Sequence, residues 1–127
     1  YAKENPQNVA KFLAIYLRAW KWANANRKDA IAMMKKFYEQ GGVQISDAAM
    51  AREFDTRPTF DLAGQLKAMN RAGGASEMDG WFAKIAEFMK GAGSIQEAPA
   101  SASYIVDDYM KMVAADPKLA EFAGRDK

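Results

Sequence analysis

Residues 5–25 read NPQNVAKFLAIYLRAWKWANA, and this stretch decides the fold. Asn5-Pro6 opens a helix: Asn suits the N-cap, and proline suits the first helical position, where its missing N–H costs nothing. Val9, Phe12, Leu13, Tyr16, Leu17 and Trp20 then recur at i, i+3, i+4, i+7, i+8 and i+11, one face of an α-helix. Ile15, Ala19 and Trp22 add a second apolar strip beside it. The apolar arc is too wide for an ordinary surface helix, which carries one narrower stripe. The chain opens at Tyr1, with neither an initiator Met nor a leader ahead of this helix. It looks like a large protein's helix at the front of a short chain, and the expectation is a piece of something longer.

The punctuation downstream predicts further helices. Asn26 suits the cap of a second, with Ala30, Met33, Met34, Phe37 and Tyr38 on one face and Lys35, Lys36, Glu39 and Gln40 facing away. Gly41-Gly42 stops it. Only a residue or two separates the first two helices, which predicts an antiparallel αα-hairpin. Ser46-Asp47 caps a third helix carrying Ala49, Met50 and Phe54. Pro58 forbids continuation and pushes Arg57 towards extended backbone. Asp61 can cap a fourth helix with Leu62, Leu66 and Met69 on one side, although Gly64 weakens it by about 1 kcal/mol relative to Ala.

Gly73-Gly74 breaks the chain again. Ser76 with Asp79 three residues on resembles a capping box, Asp standing in for the usual Glu or Gln. Met78, Trp81, Phe82, Ile85, Phe88 and Met89 form the apolar face of the helix that follows, and Gly91 and Gly93 stop it. After a loop rich in Ala, Ser and Pro over 94–103, Ser101 or Ser103 caps a helix with Ile105, Tyr109, Met112 and Val113 inward. Asp116-Pro117 repeats the cap-plus-proline opening and starts a last short turn with Leu119 and Phe122; the tail 124–127 should fray. The expectation is a single all-α domain over 1–127, with about five to six amphipathic helices in an orthogonal or irregular bundle. Only 42–45 and 59–62 would tolerate a short strand.

The totals bound the function. With 127 residues and 50% apolar side chains, the chain can bury a core and is not disordered. Lys plus Arg number 18 and Asp plus Glu 16, a net charge of +2. That balance is too even to point to nucleic acid or an acidic membrane as partner. There is no Cys and no His, which removes the commonest nucleophile–base pairs and most zinc and haem ligation. No cofactor, metal or enzymatic activity is therefore expected. A Cys-free chain suits an oxidising compartment such as the periplasm. No apolar run approaches the roughly 20 residues of a membrane helix.

Several residues invite a chemical reading. Met110-Lys111-Met112 has the Met-x-Met spacing of soft copper(I) sites. A helix points i and i+2 to different faces, so core packing is the better reading. Asp107-Asp108, Glu77 and Asp79 fall in first helical turns, where negative charge suits the helix dipole. The aromatics are explained as core, with Trp22 and Tyr16 as exceptions if their face is uncovered. Arg57-Pro58-Thr59-Phe60-Asp61 puts a cation, an aromatic and a carboxylate on one loop. Arg57 is thus the candidate ligand-binding residue, since a guanidinium grips carboxylate, sulfonate or phosphate bidentately. Its bland alternative is a surface ion pair between Arg57 and Asp61 beside a buried Phe60.

From end to end the chain resembles the C-terminal portion of periplasmic solute-binding proteins of ABC importers of the nitrate, sulfonate, taurine and thiamine-precursor type. Asn5-Pro6 with Val9, Phe12-Leu13 and Leu17-Arg18-Ala19-Trp20-x-Trp22 resembles that family's helix after its last crossover. Asn26 to Asp29-Ala30 resembles the next. Phe88, Gly93, Ile95 and Pro99 resemble its helix–Gly–Ile loop. Tyr104, Asp107, Tyr109 and Ala115-Asp116-Pro117 resemble its closing helix. The resemblance implies a fragment of a two-lobed α/β protein, most of whose ligand contacts lie outside these residues. It also implies capture of a small anionic or zwitterionic solute and docking on a membrane permease. Separated from such lobes, the chain is expected to form a homodimer or exchange helices with a neighbour. The alternative is a free-standing helical module that binds a partner through its broad apolar face.

Overall fold

The computed structural model describes residues 1–125. Seven α-helices follow one another: α1 (Pro6–Ala25), α2 (Arg27–Gln40), α3 (Asp47–Thr56), α4 (Leu62–Ala68), α5 (Glu77–Gly91), α6 (Asp108–Ala115) and α7 (Pro117–Ala123). A 3-10 turn at Ser101–Ser103 separates α5 from α6. The fold is all-α, and no strand occurs among the described residues, so 42–45 and 59–62 form none. The count is seven rather than five to six because the last turn is a full helix. Asp116 Oδ1 accepts from the N–H groups of Lys118 and Leu119 at 2.9 and 3.3 Å, and Pro117 takes the first helical position. Arg125 closes the described chain; Asp126 and Lys127, part of the tail expected to fray, lie outside the described residues.

Local chemistry sets most boundaries. Ser46 and Asp61 accept from the third backbone N–H of their helices, Ala49 and Gly64, at 3.2 and 2.8 Å. Asn5 and Asn26 sit at N-cap positions but do not cap. Their side-chain amides donate backwards, to the carbonyls of Tyr1 at 3.1 Å and Trp22 at 2.9 Å. Asn26 thus closes α1 and is the only residue between α1 and α2. Ser101 and Ser103 do not cap α6 either. They form the 3-10 turn, and α6 begins five residues later than Ser103, at Asp108, leaving Ile105 outside it.

The core lies along α1, where α6 and α7 pack; α1 meets these two helices more extensively than it meets α2. Ala10, Ala14 and Leu17 are buried against Met110, Val113 and Ala123, with Leu13, Leu62, Leu66, Leu119 and Phe122 packed around them. Two alanines at this seam leave room for the larger side chains of α6. The buried face of α1 is therefore Ala10–Leu13–Ala14–Leu17. Phe12, expected inward, is exposed instead, together with Ile15 and with Tyr16, which the sequence sets apart. The reason is geometric: at 100° per residue, Phe12, Ile15 and Ala19 lie on the opposite side of the helix from the seam. α1 is apolar on both sides and covered on one.

The same holds for α2 and α5. On α2 only Ala30 is buried, and Met33 and Phe37 are exposed, the latter by 71%. On α5 only Asp79 and Ala86 are buried, and Phe88 is 75% exposed. Six of the eleven buried apolar residues are alanines, so the enclosed core is small. The chain exposes 9084 Å² of surface. A folded monomer of 14.1 kDa exposes roughly 6,700 Å² by the usual size scaling. The excess, on the order of 2,400 Å², marks a chain more open than a globe of its mass.

These burials separate two classes of apolar residue. Leu17→Ala should cost about 2–5 kcal/mol in urea unfolding, since it empties the seam. Phe37→Ala should change stability by less than about 0.5 kcal/mol, although its helical spacing marks it equally as core. Equal losses at both positions would contradict this packing.

Candidate functional site

An apolar groove runs between α1 and α2, closed at one end by α7. Ile15, Ala19, Trp22, Met33, Met34 and Phe122 line it, and its volume is about 640 Å³. Among the described residues Arg18 is the one charged side chain on its walls, with its guanidinium 4.5 Å above the Phe122 ring. Trp22 and Tyr16, the two aromatics that sequence sets apart from the core, both border this groove; Tyr16 is exposed and Trp22 half-buried.

The loop after α3 is used structurally. Arg57 pairs with Glu53, one helical turn back, and not with Asp61. Asp61 is committed to the cap of α4. Thr59 Oγ1 accepts from Asn24 Nδ2 at 2.7 Å, tying the loop to the end of α1. Phe60 is half-buried and stacks on Trp81 of α5, with ring centres 5.7 Å apart and planes 18° from parallel. Gly64 makes room for Phe60, because a Cβ there would stand 3.2 Å from the Phe60 ring. A cleft of about 140 Å³ does open beside Arg57, lined also by Tyr16, Trp20, Thr59, Phe60 and Gln65. Four of the five loop residues, Arg57 to Phe60, therefore line one cleft, while Asp61 does not, and the Arg57–Asp61 pair does not form.

The strongest electrostatic feature is not legible as a site in the sequence. Asp79 is only 6% exposed. Arg71 grips it bidentately, Nε to Oδ2 at 2.7 Å and Nη2 to Oδ1 at 2.6 Å. Ser101 Oγ donates to Oδ1 at 2.6 Å. The Ser76 N–H and hydroxyl donate to Oδ2 at 2.8 and 2.7 Å, while Ser76 Oγ accepts from the Asp79 N–H at 3.1 Å. The capping box expected of Ser76 and Asp79 is present, and its carboxylate is also the hub of a larger junction. Arg71 reaches on to the Ile105 carbonyl at 3.2 Å. One ion pair thus fastens the α4–α5 loop, the start of α5, the 3-10 turn and the approach to α6. Arg71, then Ser101 and Ser76, hold the Asp79 carboxyl far below the usual carboxylate range.

Other candidates fall into place as packing or capping. Met110 is in the core and Met112 packs against it. Met50 and Met69 are buried too. Asp107 precedes α6 at its N-cap position and pairs with Lys111 at 2.7 Å; Asp108 is in the first turn. Among the described residues, no three His, Cys, Asp or Glu side chains converge as metal ligands. No helix among them is long and apolar enough to cross a membrane. No family model matches the chain, and no characterised protein or solved structure is significantly similar to it.

The junction has a pH signature. A carboxyl held below its free value stabilises the fold fully above that value, near 3.9, and the contribution is lost as the pH falls below it. Resistance to thermal unfolding should thus fall steadily from about pH 5 downward. Asp79→Asn should lower the melting temperature at neutral pH, flatten the acid limb and converge on the parent at the lowest pH. Parallel curves for parent and variant would contradict this role.

Proposed function

We propose that this chain is the C-terminal helical part of the solute-binding component of an ABC importer, of the nitrate, sulfonate, taurine or thiamine-precursor type, acting in the periplasm. The supporting observation is the second apolar face of α1, continued on α2 by Met33 and Phe37. A further layer of the same protein would bury it. The runs that resemble the family fall on α1, the α1–α2 joint, the end of α5 with its loop, and α6–α7. The reading thus draws on most elements of the chain.

In this reading no covalent chemistry occurs. Two lobes close on a small anionic or zwitterionic solute, and the closed form docks on a membrane permease. Differential affinity of the closed state for solute drives that closure. These helices serve as backing for one lobe: the α1–α6–α7 seam stiffens them, and the uncovered face of α1 seats against the lobe's own core. Arg57 is the one residue of this chain assigned to approach the solute, and it would have to leave Glu53 to do so. The remaining ligand contacts belong to sequence outside these residues. The second reading, a free-standing module that takes a partner helix, is favoured by the groove between α1 and α2.

The gene upstream of the Tyr1 codon separates the two. The importer reading expects an open frame with a signal peptide and alternating strand and helix patterns. It also expects the full product to bind nitrate, taurine or an alkanesulfonate saturably in titration calorimetry. A start codon immediately before Tyr1 would overturn it and leave the module. A full product with no heat for any of these solutes would reject the solute class.

A further inference from the structure

We propose that the cleft beside Arg57 selects anions that carry an aromatic ring: the guanidinium takes a carboxylate or sulfonate, and Tyr16, Trp20 and Phe60 take the ring. The role of that anion as the imported solute rests on the importer reading; the contact itself belongs to this chain.

Three observations carry the proposal. The first is composition. Three aromatic side chains and one guanidinium border a single cleft, together with the Gln65 amide and the Thr59 hydroxyl. A ring with an acidic substituent presents the matching surfaces, an apolar disc and a charged edge. The second is size. The cleft's 140 Å³ is about ten times what one water requires. A ring with its acid group suits such a space, whereas nitrate or methanesulfonate leaves more of it to water. The third is preorganisation. Trp20 makes edge-to-face contacts with Tyr16 and Phe54, at ring-centre distances of 6.3 and 6.2 Å. Phe60 is braced by its stack on Trp81. Asn24 fixes Thr59 by donating to its Oγ1, and that hydroxyl can still donate to an anion. The walls thus need little ordering when a ring enters.

Arg57 is the part that must move. Its side chain is 51% exposed, and its partner Glu53 lies one turn back on α3. An exposed i, i+4 ion pair is weak, so an anion of good geometry competes for the guanidinium at little cost. Glu53 is then a competitor for the site, and removal of its charge should strengthen binding.

Proton–nitrogen NMR of the 127-residue chain, titrated with sodium benzenesulfonate and with sodium methanesulfonate at matched ionic strength, tests the preference. The two anions share a head group and differ in the ring. The Trp20 indole N–H and Arg57 Nε–H signals should shift saturably. Benzenesulfonate should bind about tenfold more tightly, the size of one ring-on-aromatic stack. Arg57→Gln should weaken both ligands, by about tenfold for the loss of a charge-assisted pair. Tyr16→Ser should shrink the ratio between them, and Glu53→Gln should tighten both. The Arg57 and Tyr16 side chains are exposed, so far-UV circular dichroism should show these two variants folded. No saturable shift, equal affinity for the two anions, or an Arg57→Gln variant that binds as the parent does overturns the proposal. Each of those results leaves the importer reading standing. A start codon immediately before Tyr1 would do the reverse, removing the importer reading and leaving the preference of the cleft.

Discussion

Everything in this structure depends on α1 being apolar on two opposite sides. One side, built from Ala10, Leu13, Ala14 and Leu17, is filled by α6 and α7. Filling it consumes most of the large side chains those two short helices have to offer. Nothing comparable remains for the other side, where Phe12, Ile15 and Ala19 lie beside a groove whose far wall is α2. Apolar surface left in water forfeits about 25 cal/mol per Å² of burial, so a face this wide favours any cover that fits it. The fold is in this sense a layer with one finished side.

The rest of the chain is attached by directional contacts more than by burial. α3 is held to α2 by Arg27, which donates to Asp55 and to the Ala51 carbonyl, and by Lys35 on Asp47. Met50 anchors α3 below these pairs as one of the largest fully enclosed side chains. α5 depends on the Asp79 hub. A nearly buried carboxylate satisfied by a guanidinium, two hydroxyls and a backbone N–H is well compensated, and removal of any one partner exposes the cost of the others. Such a junction fixes direction without enclosing apolar surface. It explains how α5 can be firmly oriented at its start while Phe88, near its end, stands in water.

The helices are legible in the sequence because their boundaries are local events. Ser46, Ser76 and Asp116-Pro117 cap within three residues, and Gly42 takes φ +78 just beyond α2. The choice of buried face is not legible, because two apolar arcs on α1 satisfy helical periodicity equally and only the position of α6 and α7 decides between them. The start of α6 is hidden for a related reason. Ser101 looks like a cap in sequence, but its hydroxyl is taken by Asp79, 22 residues earlier. The Arg57–Glu53 pair has a readable i, i+4 spacing, yet Asp61, on the same loop as Arg57, is the more conspicuous partner until its role as a cap is known. The Arg71–Ile105 contact spans 34 positions and leaves no local trace.

Hydroxyl-radical footprinting of the chain at low micromolar concentration tests the unfinished layer most directly, because phenylalanines of one intrinsic reactivity sit on both kinds of surface. Phe37 and Phe88 should be modified several-fold faster than Phe54, Phe60 and Phe122, which pack within the fold. Uniform protection of all five would contradict a one-sided layer, because these helices would then close over their own apolar faces.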